Sequence, residues 1–200
     1  MLGWTNLVWT RLYHHLKVDR RPCLPTVGPA ILICNHTSGL DPMFLQSCCS
    51  RLIIWMMARE YYEIRALKWA FRTIEAIPVD RNGRDFAATR AAFRALEQGR
   101  VVGIFPEGRI ETTKELLPFH TGVALMAIKS KAPVFPAFLD GSQRNKEMVS
   151  ALLRPNQARV SFGPEIIFDR SDISRPVLEA ATAKMRDAVN MLAAEMKARI

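Results

Sequence analysis

From residue 30 onward, short apolar runs alternate with segments spaced as helices. "AILIC" (Ala30 to Cys34) contains no charge and follows Gly28 and Pro29, which reads as a buried strand. A helix is predicted from Pro42, then a strand over "LIIWMMA", a helix across Tyr61 to Ile74 and a strand at "AIPVD". Next come a helix across Asp85 to Gln98 stopped by Gly99, the strand "VVGIF", a long turn and a helix across Gly122 to Ser130. Strands "PVFPAFL" and "ARVSF" follow, and Val177 to Ile200, rich in Ala, Met, Leu, Lys and Glu, reads as a closing helix. This alternation predicts a single-domain α/β fold whose mixed, largely parallel central sheet is flanked by helices.

Ahead of this pattern, residues 1 to 17 set Trp4, Val8, Leu12 and Leu16 at steps of four, with Trp9 and Tyr13 alongside. The spacing predicts a helix with an aromatic apolar face, and residues 1–21 carry four basic side chains against one acidic. Residues 1–21 are therefore read as an amphipathic, membrane-docking helix preceding a domain over 22–200. Packing of that face on the protein's own core is the competing reading.

Composition narrows the classes. A chain of 200 residues, 49% hydrophobic and 24% charged, suits one globular domain. Its 28 Lys and Arg against 19 Asp and Glu give a net charge of +9, which favours a phosphate-bearing partner or an anionic membrane surface. Nucleic acid is not the expected partner, because the basic residues are dispersed and no aromatic–basic RNA motif or zinc-finger spacing occurs. Cys23, Cys34, Cys48 and Cys49 form no C-x-x-C, so reduced thiols are expected and no metal site. The run Leu52 to Ala58 is seven residues long, far short of the roughly 20 that span a bilayer, and no signal peptide is evident. These features point to a cytoplasmic protein lying peripherally on the inner face of the membrane.

The candidate chemistry collects at three expected strand ends. After "AILIC" the sequence "NHTSGLD" sets His36 and Asp41 five residues apart, with Asp41-Pro42 also reading as a helix N-cap and first position. "AIPVDRNGR" supplies Arg81, and "VVGIFPEGR" supplies Glu107, Gly108 and Arg109. Loops beyond the carboxyl ends of parallel strands gather at one crevice, so the three could meet. Arginine offers a planar fork that matches phosphate oxygens, and glycine lets backbone approach a ligand closely.

Taken in order, these blocks resemble the glycerolipid acyltransferases, the family of 1-acyl-glycerol-3-phosphate acyltransferases and their relatives. N-H-x-x-x-x-D is "NHTSGLD", the second block is similar to "IPVDR", the third to "FPEGR" and the fourth to "APVFPAF" (Ala132 to Phe138). The resemblance implies His36 and Asp41 as the catalytic pair and Arg81, Glu107, Gly108 and Arg109 as acceptor-binding residues. It further implies an acyl-CoA or acyl carrier protein donor, a lysophospholipid acceptor and no cofactor or metal. Two departures fall near the head-group region: Arg109 follows Gly108 without the threonine many members insert, and His120 in "FHTG" stands where a lysine is common.

An imidazole titrating near pH 6.5 can take a proton from an alcohol at neutral pH, and a carboxylate can fix its tautomer. The expected reaction is acyl transfer from a thioester to the hydroxyl of a lysophospholipid, 1-acyl-sn-glycerol-3-phosphate first among candidates. Rival readings are another lysophospholipid or glycerol-3-phosphate as acceptor, an acyl-cysteine route through Cys34, and a lipid-binding protein of the same fold without turnover.

Overall fold

The computed structural model describes residues 2–80, 85–111, 115–143, 151, 154–168 and 172–199. Helix α1 (Leu2–Val8) runs into one π-helical turn (Trp9–Tyr13), and strand β1 (Lys17–Arg20) follows. The chain continues through β2 (Ala30–Cys34), α2 (Asp41–Cys48), β3 (Ile53–Ala58), α3 (Arg59–Tyr62), α4 (Lys68–Thr73) and β4 (Ile77–Val79). It closes with α5 (Phe86–Glu97), β5 (Val101–Ile104), α6 (Gly122–Ser130), β6 (Val134–Asp140), β7 (Arg159–Phe162) and a long helix α7 (Arg175–Lys197).

Among the described residues the strands form one seven-stranded sheet in the order β1-β7-β6-β2-β5-β3-β4. Pairing is parallel throughout except between β6 and β7. The architecture is therefore the expected mixed, largely parallel α/β sheet. Side chains alternate between two buried faces, as a parallel sheet covered on both sides requires. Ile31, Ile33, Val102 and Val134 pack with Ala92 of α5, Ala127 of α6 and Met185 of α7. Leu32, Cys34, Ile53 and Phe135 pack on the other face with Phe44 and Leu45 of α2. Asp85 caps α5, accepting the Ala88 N–H at 2.8 Å.

The N-terminal segment differs from a single helix over 1–21. His15 takes a left-handed conformation (φ 46°), the helical path ends, and Lys17–Arg20 becomes an edge strand paired with β7. Leu16 consequently turns inward and is buried, whereas Trp4, Val8 and Leu12 remain exposed at 77%, 49% and 71%. His14 is fully enclosed, edge-on to Trp9 at 4.1 Å, with Nδ1 on Asn156 Oδ1 at 3.0 Å. Burial lowers its pKa and holds the ring neutral. The segment is thus anchored on one side and open on the other.

The helix expected across Tyr61 to Ile74 is split into α3 and α4. Leu67, Ala70, Phe71 and Ile74 line an open cleft, and Phe71 stacks on Tyr62 across the break at 6.2 Å between centroids.

Gly141, just past β6, adopts φ 74°, and a Cβ there would overlap the carbonyl oxygen of Gln157 ahead of β7. Gly141→Ala is expected to lower stability by more than about 1 kcal/mol. Urea denaturation at equilibrium measures it, and an unchanged midpoint would refute the clash.

Candidate active site

Strands β2, β4 and β5 are parallel, so the loops at their carboxyl ends emerge along one edge of the sheet. Beyond β2, Asn35 acts as a surrogate peptide group. Its amide donates to the Leu139 carbonyl at 2.9 Å and accepts the Leu139 N–H at 2.8 Å, tying the start of the loop to β6.

The loop then folds back on Asp41. Its Oδ2 accepts the backbone N–H groups of Thr37 at 2.6 Å and Ser38 at 2.9 Å, and lies 3.0 Å from His36 Nδ1. The Asp41 side chain is fully buried, while that of His36 is 17% exposed. Asp41 therefore stands at the first position of α2 with no bond to that helix's own N–H groups, and its carboxylate is turned against the preceding loop. Pro42 removes one of the donors a cap would serve, and the loop N–H groups supply others. An ionised carboxylate can only accept, so the proton between the pair belongs to Nδ1. Nε2 keeps the lone pair, and His36 lines the cleft.

Glu107 locks the other side of the histidine. One oxygen accepts the His36 N–H at 2.8 Å and the second accepts the Leu117 N–H at 2.9 Å. The Glu111 N–H donates to the His36 carbonyl at 2.7 Å. Burial pushes the Glu107 carboxyl above its ordinary value, opposed by the Leu117 and His36 N–H groups. Glu107, expected as a substrate-binding residue, accepts a backbone N–H on each oxygen and so ties the His36 loop to Leu117.

The remaining candidates are distributed unevenly. Gly108 lines the cleft at φ 68°, and a Cβ on it would come within 2.9 Å of His120 Nε2. Arg109 is exposed and absent from the cleft wall, because the chain turns at Gly108 and leaves the guanidinium in water. Arg81 lies outside the described residues. Cys34 is fully buried, its thiol bonded to Asn35 Oδ1 at 3.3 Å, and burial followed by the charges of Asp41 and Glu107 raises its pKa well above the ordinary value. A thiol so held stays protonated, which argues against the acyl-cysteine route.

The cleft itself has a volume of about 1740 Å³. Met56, Phe71, Phe93 and Met126 are among the apolar side chains that share its wall with His36 and Gly108. Among the described residues no cluster of His, Cys, Asp and Glu is arranged to hold a metal, and no helix is long and apolar enough to cross a membrane.

Three residues near His36 escaped sequence reasoning. Besides Asn35, they are Phe105, stacked on the His36 ring at 4.0 Å between centroids, and Trp55, stacked on Phe105 at 5.0 Å. One signal was present in the sequence: Gly103 interrupts the β-branched run "VVGIF", and glycine inside a strand marks close approach by another group.

The family model described as Acyltransferase matches residues 15–140. A 1-acyl-sn-glycerol-3-phosphate acyltransferase of Bacillus subtilis is 25% identical over 183 residues, covering 91% of this chain and 88% of that protein. One from Helicobacter pylori is 30% identical over 118 residues, covering 58% of this chain and 50% of that protein. The fold is shared with the crystal structure of the 1-acyl-sn-glycerophosphate (LPA) acyltransferase PlsC from Thermotoga maritima. There the TM-score is 0.74 at 20% identity, over 96% of this chain and 77% of that one.

Glu107→Gln would leave one buried N–H facing an amide NH₂, and a loss of about 1–3 kcal/mol is expected. A carboxyl raised in the fold contributes stability that is complete below its unfolded value and is lost as pH rises through the folded value. The glutamine variant has no such step, so the stability gap between the two proteins should narrow from about pH 4.5 to about pH 7. Urea titrations at both pH values test this, and a gap that widens would contradict it.

Proposed function

The chain belongs to the acyltransferase family, and from that premise we propose that it transfers a fatty acyl group from a thioester to the free hydroxyl of 1-acyl-sn-glycerol-3-phosphate, giving phosphatidic acid. The observation that carries this reading is the His36–Asp41 pair: Nδ1 is held at 3.0 Å by a buried carboxylate, and the ring faces an apolar cleft.

The chemistry follows from that geometry. Nε2 of His36 takes the proton of the acceptor hydroxyl as its oxygen attacks the thioester carbonyl, forming the C–O bond. Asp41 holds the ring in the productive tautomer and balances the imidazolium, as in a serine-protease triad with the substrate alcohol in place of serine. Collapse of the tetrahedral intermediate breaks the C–S bond, and the departing thiolate recovers the proton from His36. Ester and free thiol are the products, with no net change in protons or electrons. The donor is acyl-CoA or an acyl carrier protein, and its chain occupies the apolar cleft, whose volume of about 1740 Å³ exceeds that of typical small-ligand pockets. Arg81 and Arg109 are the proposed ligands of the acceptor phosphate, Arg109 by swinging in from its exposed position.

Exposure of Trp4, Val8 and Leu12, together with the net charge of +9, supports docking on an anionic bilayer. Trp4 also lines the cleft, so docking would bring its mouth to the lipid. Asn6 Nδ2 donates to the Met43 carbonyl of α2 at 2.9 Å, which fixes the docking helix against the helix that carries Asp41.

His36→Ala is expected to lower kcat by about 10²–10⁴-fold in protein that remains folded. Cys34→Ala should keep substantial activity. Assays with one acyl-CoA and a panel of lysophospholipids and glycerol-3-phosphate read both variants and the acceptor together. Full turnover by folded His36→Ala would sink the base assignment, and preference for an acceptor other than 1-acyl-sn-glycerol-3-phosphate would overturn the substrate.

Replacing Trp4 and Leu12 by Ala should weaken sedimentation with anionic liposomes while sparing turnover of a soluble short-chain acceptor. Binding should also weaken in salt, since each basic residue near such a surface contributes about 1 kcal/mol. Unchanged sedimentation would reject the docking role.

A further inference from the structure

Two stacked rings stand behind the histidine. The His36 and Phe105 rings lie 4.0 Å apart with their planes at 15°, and Phe105 and Trp55 lie 5.0 Å apart at 12°. Trp55 on β3 is in register with Gly103 on β5. A Cβ on Gly103 would come within 2.5 Å of Trp55 Cε3 and 2.7 Å of Ile53 Cγ2, so the indole lies flat because the backbone beneath it is bare. Trp55 Nε1 is buried without a partner. An indole normally finds a bond for that N–H when buried, so ring packing holds it here at the expense of a hydrogen bond.

We propose that Phe105, backed by Trp55 on the bare backbone of Gly103, presents the π face on which the imidazolium of His36 is stabilised during turnover. The inference rests on the reading of His36 as the base. Once Nε2 has taken the acceptor's proton the ring is a cation, and a cation within about 6 Å of an aromatic face is attracted by the ring quadrupole. The neutral ring gains less, so the contact strengthens as the transition state is approached and acts on kcat. Charged and titratable groups also bond to His36: Asp41 from α2 through its carboxylate, and Glu107 and Glu111 from the segment joining β5 to α6, while His120 of the same segment shares the cleft wall and Cys34 lies two positions before the histidine at the end of β2. None comes from β3, whose Ile53–Ala58 contains no ionisable side chain. All are retained when only the aromatic column is altered.

The test compares Phe105→Leu, which keeps apolar bulk, with Phe105→Tyr, which keeps the face. Phe105→Leu should lower kcat by about 2- to 30-fold with the acceptor KM little changed. Phe105→Tyr should restore kcat to within about twofold. NMR supplies a readout besides activity: ring currents should hold the His36 ring protons upfield in the wild type and in Phe105→Tyr, and release them in Phe105→Leu. Gly103→Ala, by tilting Trp55, should move both readouts in the direction of Phe105→Leu. Equal impairment of the leucine and tyrosine variants, or a rise in KM alone, would overturn the proposal. Should thermal melts show Phe105→Leu unfolded, Trp55→Leu against Trp55→Phe makes the same comparison, and matched kcat values in that pair refute it. An active His36→Ala would remove the base reading and the proposal with it, whereas an inactive His36→Ala beside a fully active Phe105→Leu removes the proposal alone.

Discussion

A buried carboxylate must be supplied with hydrogen-bond donors where it stands, because taking it out of water unpaired is prohibitive. Asp41 has no exposed side-chain surface, and the donors it finds are the N–H groups of Thr37 and Ser38, the ring of His36 and, at 3.5 Å, the Thr37 hydroxyl. That single requirement dictates the path of the loop after β2. To reach the carboxylate the chain must double back within a few residues, and in doing so it delivers the histidine ring to the cleft wall. The tautomer of His36 follows from the same bond. Loop shape, ring orientation and proton location are thus three consequences of one desolvated charge.

Second supports act on the same loop from different parts of the chain. Glu107 holds the His36 backbone, Asn35 ties the loop to β6, and the Thr37 hydroxyl meets that of Ser142. Each partner is distant in sequence, so the site exists only when β2, β5 and β6 are already aligned. The division of labour is instructive: the carboxylates at 41 and 107 both bond to backbone N–H groups, yet only Asp41 also reaches an imidazole. Similar residue types therefore serve unlike ends, one orienting the ring and the other pinning the main chain.

Much of this was legible in the sequence where the signal was local. Strand β2 announced itself as an uncharged run, the end of α5 by Gly99, and His36 and Asp41 by their spacing. What escaped notice depended on partners far away in the chain. Lys17–Arg20 reads as the tail of an amphipathic helix until β7 offers it an edge. That Glu107 would bond to the main chain at both Leu117 and His36 is likewise invisible in its own segment. The direction in which Asp41 bonds is equally hidden, because a helix-starting aspartate has donors available on either side and only the folded loop decides. Trp55 and Phe105 carry no mark as single residues, and only the glycine between their strand positions hints that something lies flat against β5.

The pairing of β1 with β7 has a bearing on how the protein is made. Arg159 and Asp19, joined at 2.7 Å, are separated by 140 positions along the chain. At ribosomal speeds of about 5–20 residues per second, β1 waits roughly 7 to 28 s after its own synthesis before its partner strand is made. Throughout that interval the aromatic segment next to β1 lacks the strand that will anchor it, while the strands that frame the histidine loop are completed before β7. The anchoring of the aromatic segment is accordingly among the last contacts of the sheet to form, after the strands around the histidine loop have been made.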